Sequence, residues 1–180
     1  LSFYNERRQS VKSAQPNAAH IALAELQRDF DVEIITQNID DLHERAGSKK
    51  VLHLHGEILK KRSEYDTALV ADILGDMLPG ECAPDGGRWR PDIVWFEEPV
   101  PRIATAIQLV RMADIFIVAG TSLVVYPAAG LVDYVAAAVP KFIVDRKIPY
   151  TRPDQQITMI EDNASTGMPR LARLLQERYI

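Results

Sequence analysis

Strands alternating with helices predict an α/β fold: a parallel sheet covered by helices on both faces. Two observations carry this. Short β-branched runs recur along the chain, as "DVEIIT", "DIFIVAG" and "KFIVD". Between them lie stretches with apolar residues at helical spacing, above all "PNAAHIALAELQRDF" and "PRIATAIQLVRMA". The length of 180 residues adds a third constraint: one domain, with room for a small insertion.

In order, "FYNERRQSV" reads as a helix, and "PNAAHIALAELQRDF" as a clearer one with Pro16 at its start. "DVEIIT" is a short strand and "VLHLHG" an extended piece. Residues 59–90 are polar, rich in Gly and Pro, and hold no strong strand, so they read as a small inserted lobe. The main domain is then residues 1–58 with 91–180. "DIVWF" resumes strand character, "PRIATAIQLVRMA" is a helix, "DIFIVAG" a buried strand and "YPAAGLVDYVAAAV" a helix. "KFIVD" is a strand and "GMPRLARLLQERY" a closing helix.

A hydrophobic share of 47% is enough for a core. The net charge of -4, without a long basic run, argues against nucleic acid or a membrane surface as partner. The apolar runs are too short to span a bilayer, and no secretory signal opens the chain. The single cysteine, Cys82, cannot form an internal disulfide and fits a reducing, cytoplasmic setting.

In such sheets ligands bind beyond the carboxyl ends of the strands. Three polar clusters fall there: "TQNID" after the first strand, Gly120, Thr121 and Ser122 after "DIFIVA", and Asp145 after "KFIV". Together they suggest a nucleotide-like ligand. The stretch "TQNIDDLHERAGSKKVLHLHGEI" also holds three of the four histidines: His43, His53 and His55. With an ordinary pKa of about 6.5, a histidine such as His55 suits general base catalysis. Gly56 beside it would leave room for a ligand. A second reading competes. On a strand His53 and His55 share a face, and Asp40 or His43 could complete a metal site. Asn38 and Asp40 offer a carboxamide and a carboxylate on one loop, able to read another carboxamide or a hydroxyl.

"TQNIDDLHERAG" followed by "LHLHG" resembles the signature of the sirtuins, NAD-dependent protein lysine deacylases. "PNAAHIALAEL", "RPDIVWFEEPVP" and "GTSLVVYPAAGL" resemble family segments in the same order, so the likeness covers nearly the whole chain. It implies a Rossmann-like domain that binds NAD and an acylated-lysine protein or peptide. The acyl carbonyl oxygen attacks C1′ of the nicotinamide ribose and nicotinamide leaves. His55 is the general base on the ribose hydroxyls, and water then frees lysine and 2′-O-acyl-ADP-ribose. The resemblance assigns the nicotinamide end to Gln37, Asn38, Ile39 and Asp40, and the adenosine side to Gly120, Thr121, Ser122, Asp145 and Ala164. The backbones of "VWFEE" and "SLVVY" would sandwich the peptide as an added strand, with Val94, Phe96 and Val124 near the acyl-lysine. Tyr4 and Arg7, in "FYNERR", resemble the Tyr-x-x-Arg pair of desuccinylating and demalonylating members. Such a pair would bind the carboxylate that ends a succinyl or malonyl group and that acetyl lacks.

The chain departs from the family pattern in four places. The first strand and the Gly-rich phosphate loop are absent, and the chain opens at Leu1 in the helix that follows them. At the positions of the usual zinc-binding cysteines stand Ser63, Asp66, Cys82 and Asp85, a set from which no zinc is expected. Glu97 replaces a glycine, and His53 replaces a glutamate and is given a structural role. Two alternatives stand beside the deacylase: a non-catalytic NAD or ADP-ribose binding module, and a metal-dependent hydrolase built on His43, His53 and His55.

Overall fold

The computed structural model describes residues 1–73, 75–121, 126–147 and 157–180. Its elements are α1 (Ser2–Ser13), α2 (Ala18–Leu26), β1 (Ile34–Thr36), α3 (Leu42–Arg45), β2 (Val51–His53), β3 (Gly56–Ser63), β4 (Val70–Asp72) and β5 (Trp89–Ile93). There follow α4 (Ile103–Arg111), β6 (Phe116–Ala119), a 3-10 helix (Ala128–Tyr134), β7 (Lys141–Asp145), β8 (Ile157–Glu161) and α5 (Ala164–Tyr179). Strand β1 pairs with β2. By packing, the chain divides into two compact units. The first is Leu1–Gln15, Thr36–Leu42 and His53–Val100; the second is Pro16–Ile35, His43–Leu52 and Pro101–Ile180.

The second unit holds a parallel sheet in the order β6-β7-β8. Its middle strand, β7, is buried from Lys141 to Val144, as its continuous apolar run predicts. Helices α2 and α5 close over it. Ala19, Ala22 and Leu26 meet Met168, Leu171, Ala172 and Leu175 around Phe142 and Val144. The spacings of three and four make one apolar stripe on each helix. Gly167 allows this approach: a Cβ there would fall 2.4 Å from Val144 Cγ1. The start of α2 differs from the sequence reading. Pro16 stands outside the helix, and Asn17 caps it, accepting from the Ala19 and His20 N–H groups while its own N–H reaches His20 Nδ1.

Two further expectations are corrected here. The helix read over "YPAAGLVDYVAAAV" is only the 3-10 turn Ala128–Tyr134. Beyond it, the Ala136 and Val139 carbonyls accept from Lys141 Nζ at 2.9 and 3.0 Å. Lys141 is buried, and an interior ammonium needs such acceptors. Strand β8, "ITMIE", went unread because Thr158 and Met159 are exposed and no apolar run marks it.

The first unit holds an antiparallel sheet in the order β4-β3-β5. It runs through residues 59–90, where the sequence showed no strong strand. The register slips between Glu57 and Lys61, which breaks the two-residue alternation a strand is recognised by. Lys60, Lys61 and Arg62 then fill half-exposed positions on β3. Helix α1 is fixed to β3 through Arg8, which is fully buried. Its Nε donates to the Ile58 carbonyl at 3.0 Å and its Nη1 to Asn5 Oδ1 at 2.8 Å. Burial pulls the Arg8 pKa below its ordinary value, against the attraction of Asp76. Asn5 in turn exchanges two bonds with the Met77 backbone. Among the described residues, no helix is long and apolar enough to cross a membrane.

Candidate active site

In the first unit, the loop after β1 and the turn after β2 are laced together by backbone and histidine. The Leu54 N–H donates to the Thr36 carbonyl and the Ile58 N–H to the Ile39 carbonyl. His53 Nδ1 lies 3.2 Å from the Asn38 carbonyl, and His55 Nδ1 lies 3.0 Å from the Gln37 carbonyl. A carbonyl oxygen only accepts, so Nδ1 carries the proton in both rings. For His55, which is half-exposed, this leaves the lone pair on Nε2. That is the tautomer a general base needs. His53 is buried, in line with a structural role. The two residues do not share a strand face, since β2 ends at His53. Asp40 Oδ1 accepts from the Leu42 N–H, so its carboxylate turns the chain into α3. Asn38 is held by its N–H on Thr36 Oγ1.

Gly56 has φ +81°, and a Cβ there would fall 2.0 Å from the Asp92 carbonyl oxygen. The space beside His55 that the sequence reading kept for a ligand is taken by β5. The next residues of that strand continue the contact: the Val94 N–H donates to the His55 carbonyl. Trp95 and Phe96 then emerge, Phe96 being 96% exposed. The Tyr4 ring stacks on Trp95, with centroids 6.5 Å apart. Arg7 is exposed, its guanidinium 5.6 Å from the Phe3 ring.

The four positions of the usual zinc-binding cysteines hold one cysteine and three residues with other uses. Ser63, fully buried, donates to Asp85 Oδ2 at 2.6 Å, and Asp85 Oδ1 accepts from the Gly87 N–H. The Ser63 bond, first, and the backbone donors hold the Asp85 carboxyl below the usual range. Asp66 accepts from the Ala68 N–H, and the Cys82 thiol is exposed. A hydroxyl, two carboxylates engaged in their own turns and one thiol do not fit zinc. A hydrogen-bonded turn closes the lobe at this point. The metal site suggested for the histidines is not favoured. Among the described residues no three His, Cys, Asp or Glu groups converge on one point, and His43 packs against the His20 ring.

In the second unit, Gly120, Asp145 and Ala164 gather at the carboxyl end of the parallel sheet. The Gly120 N–H donates to the Val144 carbonyl, and a Cβ on Gly120 would touch Ala164 at 3.8 Å. Asp145 Oδ1 accepts from the Lys147 N–H. Thr121 follows Gly120 directly; Ser122 and Val124 lie outside the described residues.

A model of the Sir2 family matches residues 1–127. The chain is 46% identical over 177 residues to an NAD-dependent protein deacylase of Helicobacter pylori strain J99, covering 98% of this chain and 76% of that one. The chain belongs to the Sir2 family. An NAD-dependent protein deacylase of Aggregatibacter actinomycetemcomitans is 51% identical over 167 residues, covering 93% and 73% of the two chains. The fold matches a crystal structure of a Sir2 homolog–NAD complex with a TM-score of 0.87 at 36% identity, over 98% of this chain and 71% of that one. A Sir2–p53 peptide–NAD+ structure matches at 0.73 and 32% identity, over 93% and 72%.

Within this Sir2 chain the substitution at Glu97 has a geometric reading. Glu97 has φ +72°, the left-handed region that glycine enters without strain. A glycine at this position would meet that backbone geometry without strain. Glu97→Gly is expected to relieve about 1 kcal/mol of strain, offset in part by the greater freedom of the unfolded chain. Urea unfolding of the two proteins checks this; a clear loss of stability in the glycine variant would contradict it. Residues that sequence reading missed here are Asn5 and Arg8, which fix α1, Arg90 and Glu98, which meet Trp95, and Arg62, which pairs with Asp92 and Glu98. The adjacent arginines of "NERR" were the available signal for Arg8: position 8 is one turn after Tyr4 and so on the same helix face.

Proposed function

We propose that this chain removes acyl groups from protein lysines in an NAD-dependent reaction, leaving nicotinamide and 2′-O-acyl-ADP-ribose. The observation that carries the reading is His55, with its proton fixed on Nδ1 by the Gln37 carbonyl, standing at the base of the Val94–Glu98 loop. The names of the relatives agree with it. Bound NAD supplies the nicotinamide leaving group and the ribose that accepts the acyl. The chain's residues do the rest. His55 Nε2 takes a ribose hydroxyl proton. Gln37, Asn38, Ile39 and Asp40 hold the nicotinamide end, and Gly120, Thr121, Ser122, Asp145 and Ala164 the adenosine side. Val94, Phe96 and Val124 line the path of the acyl-lysine. Tyr4 and Arg7 favour succinyl and malonyl groups over acetyl. The setting is cytoplasmic, which suits the single cysteine.

The test is to incubate the protein with succinylated and acetylated peptides, with and without NAD, and follow free lysine by mass spectrometry. Conversion is expected only with NAD and unaffected by chelator. Conversion without NAD that a chelator abolishes would favour the metal hydrolase. NAD binding without turnover would favour the non-catalytic module.

A further inference from the structure

We propose that Arg90 and Glu98 are positioning residues that set the shape of the peptide-binding loop and, through Trp95, the place of Tyr4. This rests on the deacylase reading above and deepens it.

Among the described residues, the segment Val94–Glu98 has no strand partner beyond its first residue, whose N–H meets the His55 carbonyl. Its shape comes instead from one carboxylate. Glu98 receives Arg90 as a fork, Nη1 to Oε1 at 2.6 Å and Nη2 to Oε2 at 3.1 Å. The same Oε2 accepts the Trp95 backbone N–H at 2.9 Å. Arg90 Nη2 also donates to the Ile93 carbonyl at 3.1 Å. Arg62 stands behind the pair, 3.4 Å from both Asp92 and Glu98. The loop is thus tied by charged bonds at Ile93 just before it, at the Trp95 N–H and at Glu98. Two parallel bonds to a charged group fix direction as well as distance.

The clamp reaches further than the backbone. The Arg90 guanidinium carbon lies 3.5 Å from the centre of the Trp95 ring. The Tyr4 ring stacks on the same indole. Glu98 orients Arg90, Arg90 supports Trp95, and Trp95 supports the tyrosine proposed to read the acyl group. An exposed ion pair would contribute little. Here the Arg62 and Arg90 side chains are only 12% and 15% exposed, and a cation on an indole face adds to the contact. Phe96, on the same segment, is left open to a peptide.

The test uses two variants of the full chain, Glu98→Gln and Arg90→Lys. The first removes the charge that the fork binds. The second keeps the positive charge and removes the fork. Four quantities are read: the Kd of a fluorescent succinyl-lysine peptide by anisotropy, the peptide KM, kcat, and the KM for NAD. The peptide Kd and KM are expected to rise about tenfold, the value of one charge-assisted bond. The kcat and the KM for NAD should stay within about twofold of the parent. An unchanged peptide Kd in either folded variant overturns the proposal. So does a parallel loss of peptide and NAD affinity, which would mean general loosening. If Glu98→Gln does not fold, Arg90→Lys decides alone. A parent chain that binds no acyl peptide also overturns it. A parent that binds the peptide but releases no lysine with NAD defeats the deacylase reading, while the Kd comparison still decides the clamp.

Discussion

Replacing His55 by alanine is expected to lower NAD-dependent deacylation by about 10²–10⁴-fold while the fold is kept. The size is that of losing a positioned general base. The ring is half-exposed, and its bond to the Gln37 carbonyl contributes about 1 kcal/mol to stability. A carbonyl in a half-exposed turn can pass that bond to water. Backbone bonds keep the turn in place, since the His55 carbonyl is held by the Val94 N–H whatever the side chain. The check is kcat/KM on an acylated peptide together with thermal unfolding. Activity within a factor of two of the parent would remove His55 from the reaction. A collapse of the melting transition would mean that it serves structure.

The second large effect concerns Arg7. Arg7→Met is expected to lower desuccinylation by about ten- to a hundredfold, the value of a hydrogen bond to a charged group that persists in the transition state. Deacetylation should stay within a few-fold, because an acetyl group offers the guanidinium nothing to bind. The geometry makes this a clean substitution. Neighbouring Arg8, not Arg7, anchors α1: it is fully buried and its Nε donates to the Ile58 carbonyl of β3, while Asn5 holds the Met77 backbone. Arg7 is exposed and rests on Phe3, so its removal should not disturb packing. The comparison is of two kcat/KM values on one peptide sequence carrying either acyl group. If both fall together, the Tyr4–Arg7 pair does not read the acyl carboxylate.

How much of this was legible depended on the kind of force that fixes each part. Strand β7 and helix α5 could be read directly, because burial alone dictates their apolar patterns. Strands β3 and β4 could not, since their ladder tolerates "LKKRS" and a register shift erases the alternation, and "DIVWF" marked only the end of β5, Asp92 and Ile93. Past the 3-10 turn, Lys141 Nζ takes the carbonyls of Ala136 and Val139, a contact that no apolar spacing announces. His55 stood out in the sequence as a residue, but its tautomer depends on a carbonyl 18 positions away. Gly56 stood out as well, yet its reason was the Asp92 carbonyl and not a ligand. Arg8 and Glu98 carry no apolar or motif signal of their own; the fold shows what they hold.

The most direct measurement is the count of products. An acylated peptide, NAD and the protein are incubated, and free lysine, nicotinamide and 2′-O-acyl-ADP-ribose are quantified together by mass spectrometry over the time course. The expected result is one nicotinamide and one acyl-ADP-ribose for each lysine freed, at every time point and for each acyl group. Lysine freed in excess of nicotinamide, with the acyl recovered as the free acid from the start, would mean direct hydrolysis and would contradict an NAD-dependent deacylase.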